Sequence, residues 1–281
     1  VVVVETKKPE AGKLRFSYNT NLQVAWADLS DYNLMNSAEK LEFEKLAGYY
    51  GLLDSNGEII SDLNRPVYYS RYKSVVGGLN SYWMSEPLRT AFTQDHSINA
   101  EGGDASFRYG LTLRYRDMQG VMIGSDRDNF DGSINLSYRV DKFNFTNQTN
   151  IYYTDTENNS VAFSKFSQAN PYYAKRDVYK VLESYETISG TEYVYNPLWD
   201  FQQNNINGGN SFTFNNNFNV EYSPIKKVRL TGRLGYTVTK DKNEKFLSPF
   251  NTQFEGVEEL KRGSYNRSDA NSTSLDANFN A

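Results

Sequence analysis

The sequence lacks most of the residues on which enzyme sites and disulfide frameworks depend. Its 281 residues include no cysteine and a single histidine. Without cysteine there is no disulfide, no thiolate zinc site and no thiol nucleophile, and one histidine is too few for most metal or acid–base constellations. We therefore predict that the chain is not an enzyme, and we expect no catalytic residue, metal site or cofactor.

Long apolar runs and an excess of positive charge are also missing. The opening run of four valines is far shorter than the roughly 20 apolar residues of a membrane-spanning helix. A formal net charge of −4 gives no general electrostatic reason to bind nucleic acid. Aromatic residues, in contrast, make up 15% of the chain, which argues against disorder.

Apolar and polar residues alternate with a period of two over segments of about ten residues, as in half-buried or membrane-spanning strands. Between 105 and 117, for example, Phe107, Leu111 and Leu113 share one face, while Arg108 and Arg114 lie on the other. The same pattern predicts about eight strands, at 13–25, 93–101, 105–117, 129–140, 143–153, 211–222, 228–238 and 270–281.

The connections between these segments alternate in length. Short turns at 102–104, 141–142 and 223–227 alternate with longer links at 26–92, 118–127, 155–210 and 240–269. Outer-membrane barrels combine short turns at one end, longer loops at the other, and strands with aromatic girdles. We therefore predict an all-β fold, an antiparallel transmembrane β-barrel segment.

One segment in the first long link departs from the β pattern. Apolar residues at 34, 38, 41 and 46 fall on one helical stripe within 31–46. This spacing predicts one short helix in a loop, with Asn33 or Asp31 as its N-cap.

Three stretches of the first half carry recognisable motifs. The valine-rich run 1–8 with Gly12-Lys13 resembles a last plug strand and its junction with a barrel, and 32–39 looks like the helix after a first barrel strand. Most specific is 83–103, which has Trp83, Arg89, Ala91, Gln94, His96 and Gly102-Gly103 in a "W…R.A..Q.H…GG" arrangement. Together they resemble the SusC/RagA-type TonB-dependent outer-membrane transporters of the Bacteroidetes, by motif to about residue 140 and by pattern afterwards.

The resemblance implies a 22-stranded barrel plugged by a globular domain. Residues 1–12 would be the last plug strand and the plug-to-barrel junction, and 13–281 the N-terminal part of the barrel with its long extracellular loops. Since the sequence opens without Met and stops inside an alternating pattern, we expect an internal piece of a longer protein.

The resemblance also implies location, partners and function. Family members lie in the cell outer membrane, contact its lipid, and import oligosaccharides or peptides under a SusD-like surface lipoprotein, with energy from TonB, ExbB and ExbD. We expect import of oligosaccharides, with oligopeptides or a non-transporting surface glycan-binding or adhesin protein as alternatives. A transporter has its apolar strand face against lipid, whereas a soluble module buries that face in a core.

Two sets of side chains are candidate site residues. Loop aromatics could stack on a sugar ring or pack the loops and the lipoprotein lid: Trp83, Tyr172, Tyr173, Tyr193, Tyr195 and Trp199. Arginines on the polar strand face are predicted to line the lumen, where they either pair with carboxylates or attract an acidic ligand: Arg108, Arg114, Arg116, Arg139, Arg229 and Arg233. For His96 we expect a structural role.

Overall fold

The structure, a computed structural model, describes residues 11–159, 161–176, 182–189, 192–225 and 227–281. Residues 1–10, which hold most of the predicted plug strand, lie outside the described part. The strands are β1 Gly12–Ala25, β2 Ala91–Gly103, β3 Phe107–Gln119, β4 Asp126–Val140, β5 Phe143–Glu157, β6 Tyr185–Ser189, β7 Glu192–Tyr195, β8 Ile206–Ile225, β9 Val228–Leu247 and β10 Ser264–Asn280. The helices are α1 Ser37–Leu46, α2 Arg65–Val76, α3 Phe163–Ser167 and α4 Pro197–Gln202, and two 3₁₀ turns cover Thr252–Phe254 and Glu259–Lys261.

Eight strands form one antiparallel sheet in the order β1-β2-β3-β4-β5-β8-β9-β10, and β6 pairs with β7 in a separate hairpin. Every predicted strand overlaps a strand of the large sheet, which confirms the all-β, antiparallel fold. The predicted link 240–269 was too long, because β9 runs on to Leu247 and β10 begins at Ser264. Main-chain pairing continues there although charged residues interrupt the apolar alternation.

The three short turns lie at one end of the strands, which we call the turn end. The long links lie at the opposite end of the strands, which we call the loop end. Asp141 has a φ of +48°, and aspartate is among the few residues that tolerate this left-handed conformation. Gly103 has a φ of +124°, and a Cβ there would lie 2.1 Å from the Phe107 carbonyl oxygen. Local backbone chemistry therefore defines these hairpins.

The helix predicted in the first long link is present as α1, but the described residues contain three further helices, and the predicted N-cap was wrong. The helix α1 begins at Ser37 rather than near residue 31, because Asn36 and Glu39 form a reciprocal capping box. The Asn36 Oδ1 accepts from the Glu39 N–H at 3.0 Å, and the Glu39 Oε2 accepts from the Asn36 N–H at 2.9 Å. Pro66 is the second residue of α2 and Pro197 the first of α4, and the first turn of a helix suits proline.

The buried apolar core lies within the long links rather than against the sheet. Helices α1 to α4 pack the described residues of the links 26–90 and 158–205 together into a unit that we call the loop dome. Its buried cluster consists of Leu41, Tyr50, Ile59, Tyr68, Trp83, Val161, Phe166, Tyr172, Tyr173 and Leu198. Within the described ranges, none of the helices has the length and apolar character needed to cross a bilayer.

Candidate functional site

The apolar face of the large sheet is open to its surroundings. Phe130 retains 51% of its exposure, Leu113 50% and Ile134 43%, and these side chains point away from the polar face. A soluble sandwich would bury such a face against a second sheet. We call this surface the outward face and the opposite, polar surface the inward face.

Register places aromatic and acidic side chains of the outward face in rows across the strands, since directly paired residues share a face. Near the turn end lie Phe107, Tyr138 and Phe145, and near the loop end lie Tyr115, Phe130 and Tyr153. One step beyond the second row, Asp117, Asp128 and Asp155 are paired side by side. Ten residues separate Phe107 from Asp117, which spans roughly 23 Å across a bilayer for strands tilted by about 45°.

The inward face carries the six predicted arginines, and three of them pair with carboxylates of the wall. Arg114 donates to both carboxylate oxygens of Asp95, with Nε at 2.8 Å, and Arg116 donates to the same group from Nη2 at 2.9 Å. Arg229 Nε lies 3.3 Å from Glu221 Oε1. The sequence analysis did not single out Asp95 or Glu221, although both share the parity of the polar face.

The other three arginines have different surroundings. Arg108 donates weakly from Nε to the Asp104 carbonyl oxygen at 3.4 Å. Arg139 and Arg233 are exposed on the inward face close to the turn end. Between these arginines the inward face of β5, β8 and β9 is covered by uncharged polar side chains, including the bonded pairs Asn215 to Thr237 and Thr213 to Thr239.

Three of the six predicted loop aromatics are buried within the loop dome. Trp83, Tyr172 and Tyr173 retain 4%, 3% and 6% of their exposure. The Trp83 indole N–H donates to the Asn170 carbonyl oxygen at 2.9 Å. Each of these rings packs within the dome, and little of its surface is open to a ligand.

Glu44 and Arg71 form a buried charged centre under these rings. Arg71 Nη1 lies 4.0 Å from Glu44 Oε2 and donates to the Tyr50 hydroxyl at 2.6 Å. The Tyr50 and Tyr172 hydroxyls each donate to the Glu44 carboxylate at 2.9 Å. Burial raises the pKa of both tyrosines above the usual range, because a phenolate would be poorly solvated beside Glu44.

A cavity of about 360 Å³ opens beside this centre, between the links 26–90 and 158–205. Trp83, Tyr172, Tyr173 and Tyr195 all contribute to its wall, so the structure brings four of the six predicted aromatics together. Additional lining residues that the sequence analysis missed include Lys165, Asn170, Arg176, Glu183 and Tyr185. No sequence periodicity marks them, because loop packing brings them together.

The remaining two aromatics lie elsewhere. Trp199 donates its indole N–H to the Phe250 carbonyl oxygen at 2.7 Å and is not part of the cavity wall. Tyr193 pairs with Thr187 in the β6–β7 hairpin, and its side chain lies outside the described part of the structure.

No protein-family model matches the chain. Among curated proteins, the TonB-dependent receptor SusC of Bacteroides thetaiotaomicron is 24% identical over 275 residues, which cover 89% of this chain and 25% of SusC. Among solved structures, the RagAB peptide importer in the closed-closed state matches with a TM-score of 0.72 at 17% identity, covering 98% of this chain and 33% of that one.

The open-open state of the same importer gives a TM-score of 0.67 at 18% identity, covering 88% of this chain and 30% of that one. This chain thus spans about a quarter of SusC and a third of the RagAB chain. The similarities confirm the resemblance to the SusC/RagA-type TonB-dependent transporters that the sequence motifs indicated.

Proposed function

We propose that this chain, similar in sequence to SusC and in fold to RagAB, forms part of the barrel wall of a TonB-dependent importer in the outer membrane. The observation that carries the proposal is the exposed apolar outward face, bounded near the loop end by the Asp117, Asp128 and Asp155 row. Its height of roughly 23 Å suits the apolar band of outer-membrane barrels, about 25 Å. A soluble adhesin or glycan-binding module would have to bury this apolar face in a core, and in the described residues the face is exposed.

The orientation follows from the connections. The loop end would face outward from the cell, with the loop dome above the membrane, and the turn end would face the periplasm. Residues 13–281 would belong to the barrel and 1–12 to the end of a plug. The inward face, where Arg114 and Arg116 share Asp95, would line a water-filled lumen. Substrate passage would depend on TonB, ExbB and ExbD acting through the plug.

An oligosaccharide is the cargo that we propose for the loop-dome cavity. Tyr195, with 43% of its surface exposed, offers a ring for sugar stacking, and Asn170 and Arg176 supply polar groups nearby. The peptide importers among the structural neighbours favour oligopeptides as the second candidate. A peptide would use the same cavity, with Glu183, Lys165 and Arg176 as partners for its charges.

A SusD-like surface lipoprotein is the proposed partner of the dome. Tyr32, Leu34, Met35 and Tyr82 retain 43–50% of their exposure around a groove of about 500 Å³. Aromatic residues and methionine are enriched in protein interfaces. Replacing Leu34 and Met35 by aspartate should abolish co-purification of the lipoprotein while the barrel still inserts.

The first test uses the full-length protein in detergent-solubilised outer membranes. Heat-modifiable migration and a co-purifying lipoprotein would support the importer.

Uptake of labelled oligosaccharides and oligopeptides, measured with and without TonB, then identifies the cargo. Tyr195→Ala should weaken cargo binding by about fivefold, since a stacked ring contributes on the order of 1 kcal/mol. Trp199→Ala is the matched control outside the cavity. Recovery from the aqueous fraction, with equal migration before and after heating, would refute the proposal.

A further inference from the structure

Two clusters of polar side chains interrupt the apolar outward face. One lies between its two aromatic rows, and the other lies at the loop-end row, where His96 is paired with Tyr115. The first joins β5 to β8 and consists of Asn147, Thr149 and Asn216. The two amides bond each other reciprocally, each Nδ2 lying 3.2 Å from the other Oδ1. Asn216 Nδ2 also donates to Thr149 Oγ1 at 2.7 Å, and Thr149 Oγ1 donates to Asn147 Oδ1 at 3.0 Å. We call this ring of hydrogen bonds the β5/β8 clasp.

The second cluster joins β1 to β2 and is centred on His96, the single histidine. Its Nδ1 lies 2.6 Å from the Tyr18 hydroxyl and 3.2 Å from Thr20 Oγ1, and its Nε2 lies 3.3 Å from Gln94 Oε1. The tautomer with the proton on Nε2 satisfies all three contacts, because Nδ1 then accepts and Nε2 donates. The Tyr18 and His96 rings are nearly parallel, 12° apart. We call this cluster the β1/β2 clasp.

Both clasps join strands whose connecting links are the longest in the chain. The link 26–90 connects β1 to β2, and 158–205 lies between β5 and β8 in the sequence. Strands joined by tight turns have a register set by the turn. Among the described residues, the outward side-chain hydrogen bonds between such strands lie at the loop-end rim, where Gln94 of the β1/β2 clasp also donates to Asp117 of β3.

A long link leaves the register of its strands unspecified, and shifting the pairing by two residues keeps every side chain on its own face. Alternation alone therefore cannot select the native pairing of β5 with β8. A slip that brings Asn216 opposite Ile151 would pair Asn147 with Val220 and break the reciprocal hydrogen bonds between the two amides. In hydrocarbon no solvent can satisfy the polar groups that lose their partners, so this slip is strongly disfavoured.

We propose that the two clasps are lipid-facing register locks, which select the pairing of β5 with β8 and of β1 with β2 where no turn does so. The proposal rests on the importer function proposed above, because hydrocarbon around the outward face makes the hydrogen bonds decisive. In water, exposed polar groups would bond solvent in either register.

The experiment reads the register by disulfide formation in the full-length protein within outer membranes, since residues 1–281 contain no cysteine of their own. Gln148 is paired with Asn217 in the native register and would be paired with Asn219 after the slip. Gln148→Cys with Asn217→Cys thus reports the native register, and Gln148→Cys with Asn219→Cys reports the slipped one, since disulfides require closely paired positions.

Asn216→Leu is the test variant, because it removes the clasp and makes the outward face more apolar. Asn215→Leu is the matched control on the same strand. It removes an inward hydrogen bond to Thr237, 2.7 Å long, between strands joined by a short turn. We expect Asn216→Leu to raise the ratio of slipped to native cross-link at least tenfold, and Asn215→Leu to leave it unchanged.

Equal ratios for Asn216→Leu and Asn215→Leu would overturn the lock, as would a rise in barrel stability with the native cross-link retained. If Asn216→Leu does not assemble, the milder Thr149→Val removes two of the clasp's hydrogen bonds and is read with the same cysteine pairs. Recovery of the wild-type protein without detergent would refute the importer and the lipid-based lock together. A membrane-inserted barrel with unchanged ratios would refute the lock alone.

Discussion

Replacing Arg71 with methionine should loosen the loop dome without unfolding the sheet. The side chain of Arg71 is only 7% exposed and that of Glu44 10%, and their charged atoms lie 4.0 Å apart. At that separation, with an effective dielectric constant near 20, a pair of unit charges interacts by about 4 kcal/mol. The variant leaves Glu44 buried without its main positive partner, which typically costs 3–5 kcal/mol.

The expected cost lies near the lower end of that range. Lys40 Nζ remains 3.5 Å from Glu44, and the hydroxyls of Tyr50 and Tyr172 still donate to the carboxylate. We therefore expect local opening of the dome to become easier by about 3 kcal/mol, or roughly a hundredfold faster hydrogen exchange of its amides. Amides of β3 and β4 should exchange as in the wild type.

Hydrogen exchange followed by mass spectrometry on the detergent-solubilised full-length protein measures both regions in one sample. Lys73→Met is the matched control, since Lys73 has the same charge on the same helix and is exposed. Adding Glu44→Gln to Arg71→Met should restore part of the protection, because the second change removes the unpaired charge. Equal exchange of the dome in Arg71→Met and Lys73→Met would refute the buried charged centre.

Three further outcomes are expected. The raised pKa values of Tyr50 and Tyr172 predict dome stability that is complete below the unfolded tyrosine value of about 10 and falls above it, visible as alkaline protease cleavage of the dome before the sheet unfolds. Asn36→Ala removes the capping box and should destabilise α1 by about 1 kcal/mol, measured as faster exchange there and contradicted by unchanged exchange. Ile134→Arg, in the middle of the outward face, should lower the stability of the barrel by roughly 2–4 kcal/mol, visible as a lower temperature at which the heat-modifiable band shifts. The inward Asn135→Arg should be nearly neutral, and equal effects of the two variants would contradict the assigned faces.

The sequence by itself determined the sheet to a large extent. Strict alternation, as from Phe107 to Tyr115, specifies which residues share a face, because side chains of a strand point to opposite sides. The turns at Gly103 and Asp141 could also be predicted from the sequence, because few other residue types accept the backbone angles of these turns. The Asn36-x-x-Glu39 capping box was also present in the sequence, but the apolar stripe starting at residue 34 suggested an earlier helix start.

Only the tertiary structure decided what the long links do. Arg71 lies 27 positions after Glu44, and Tyr172 lies 101 positions after Arg71. No local periodicity of the sequence predicts that these three residues are in contact. The same holds for Trp83 and Tyr173, which look like ligand-binding aromatics in the sequence and are buried in the structure. In the sequence, Asn147 and Thr149 are simply two polar residues at apolar positions of a strand. Their meaning emerged from the register with Asn216, because a pairing across a long link depends on non-local contacts that alternation does not encode.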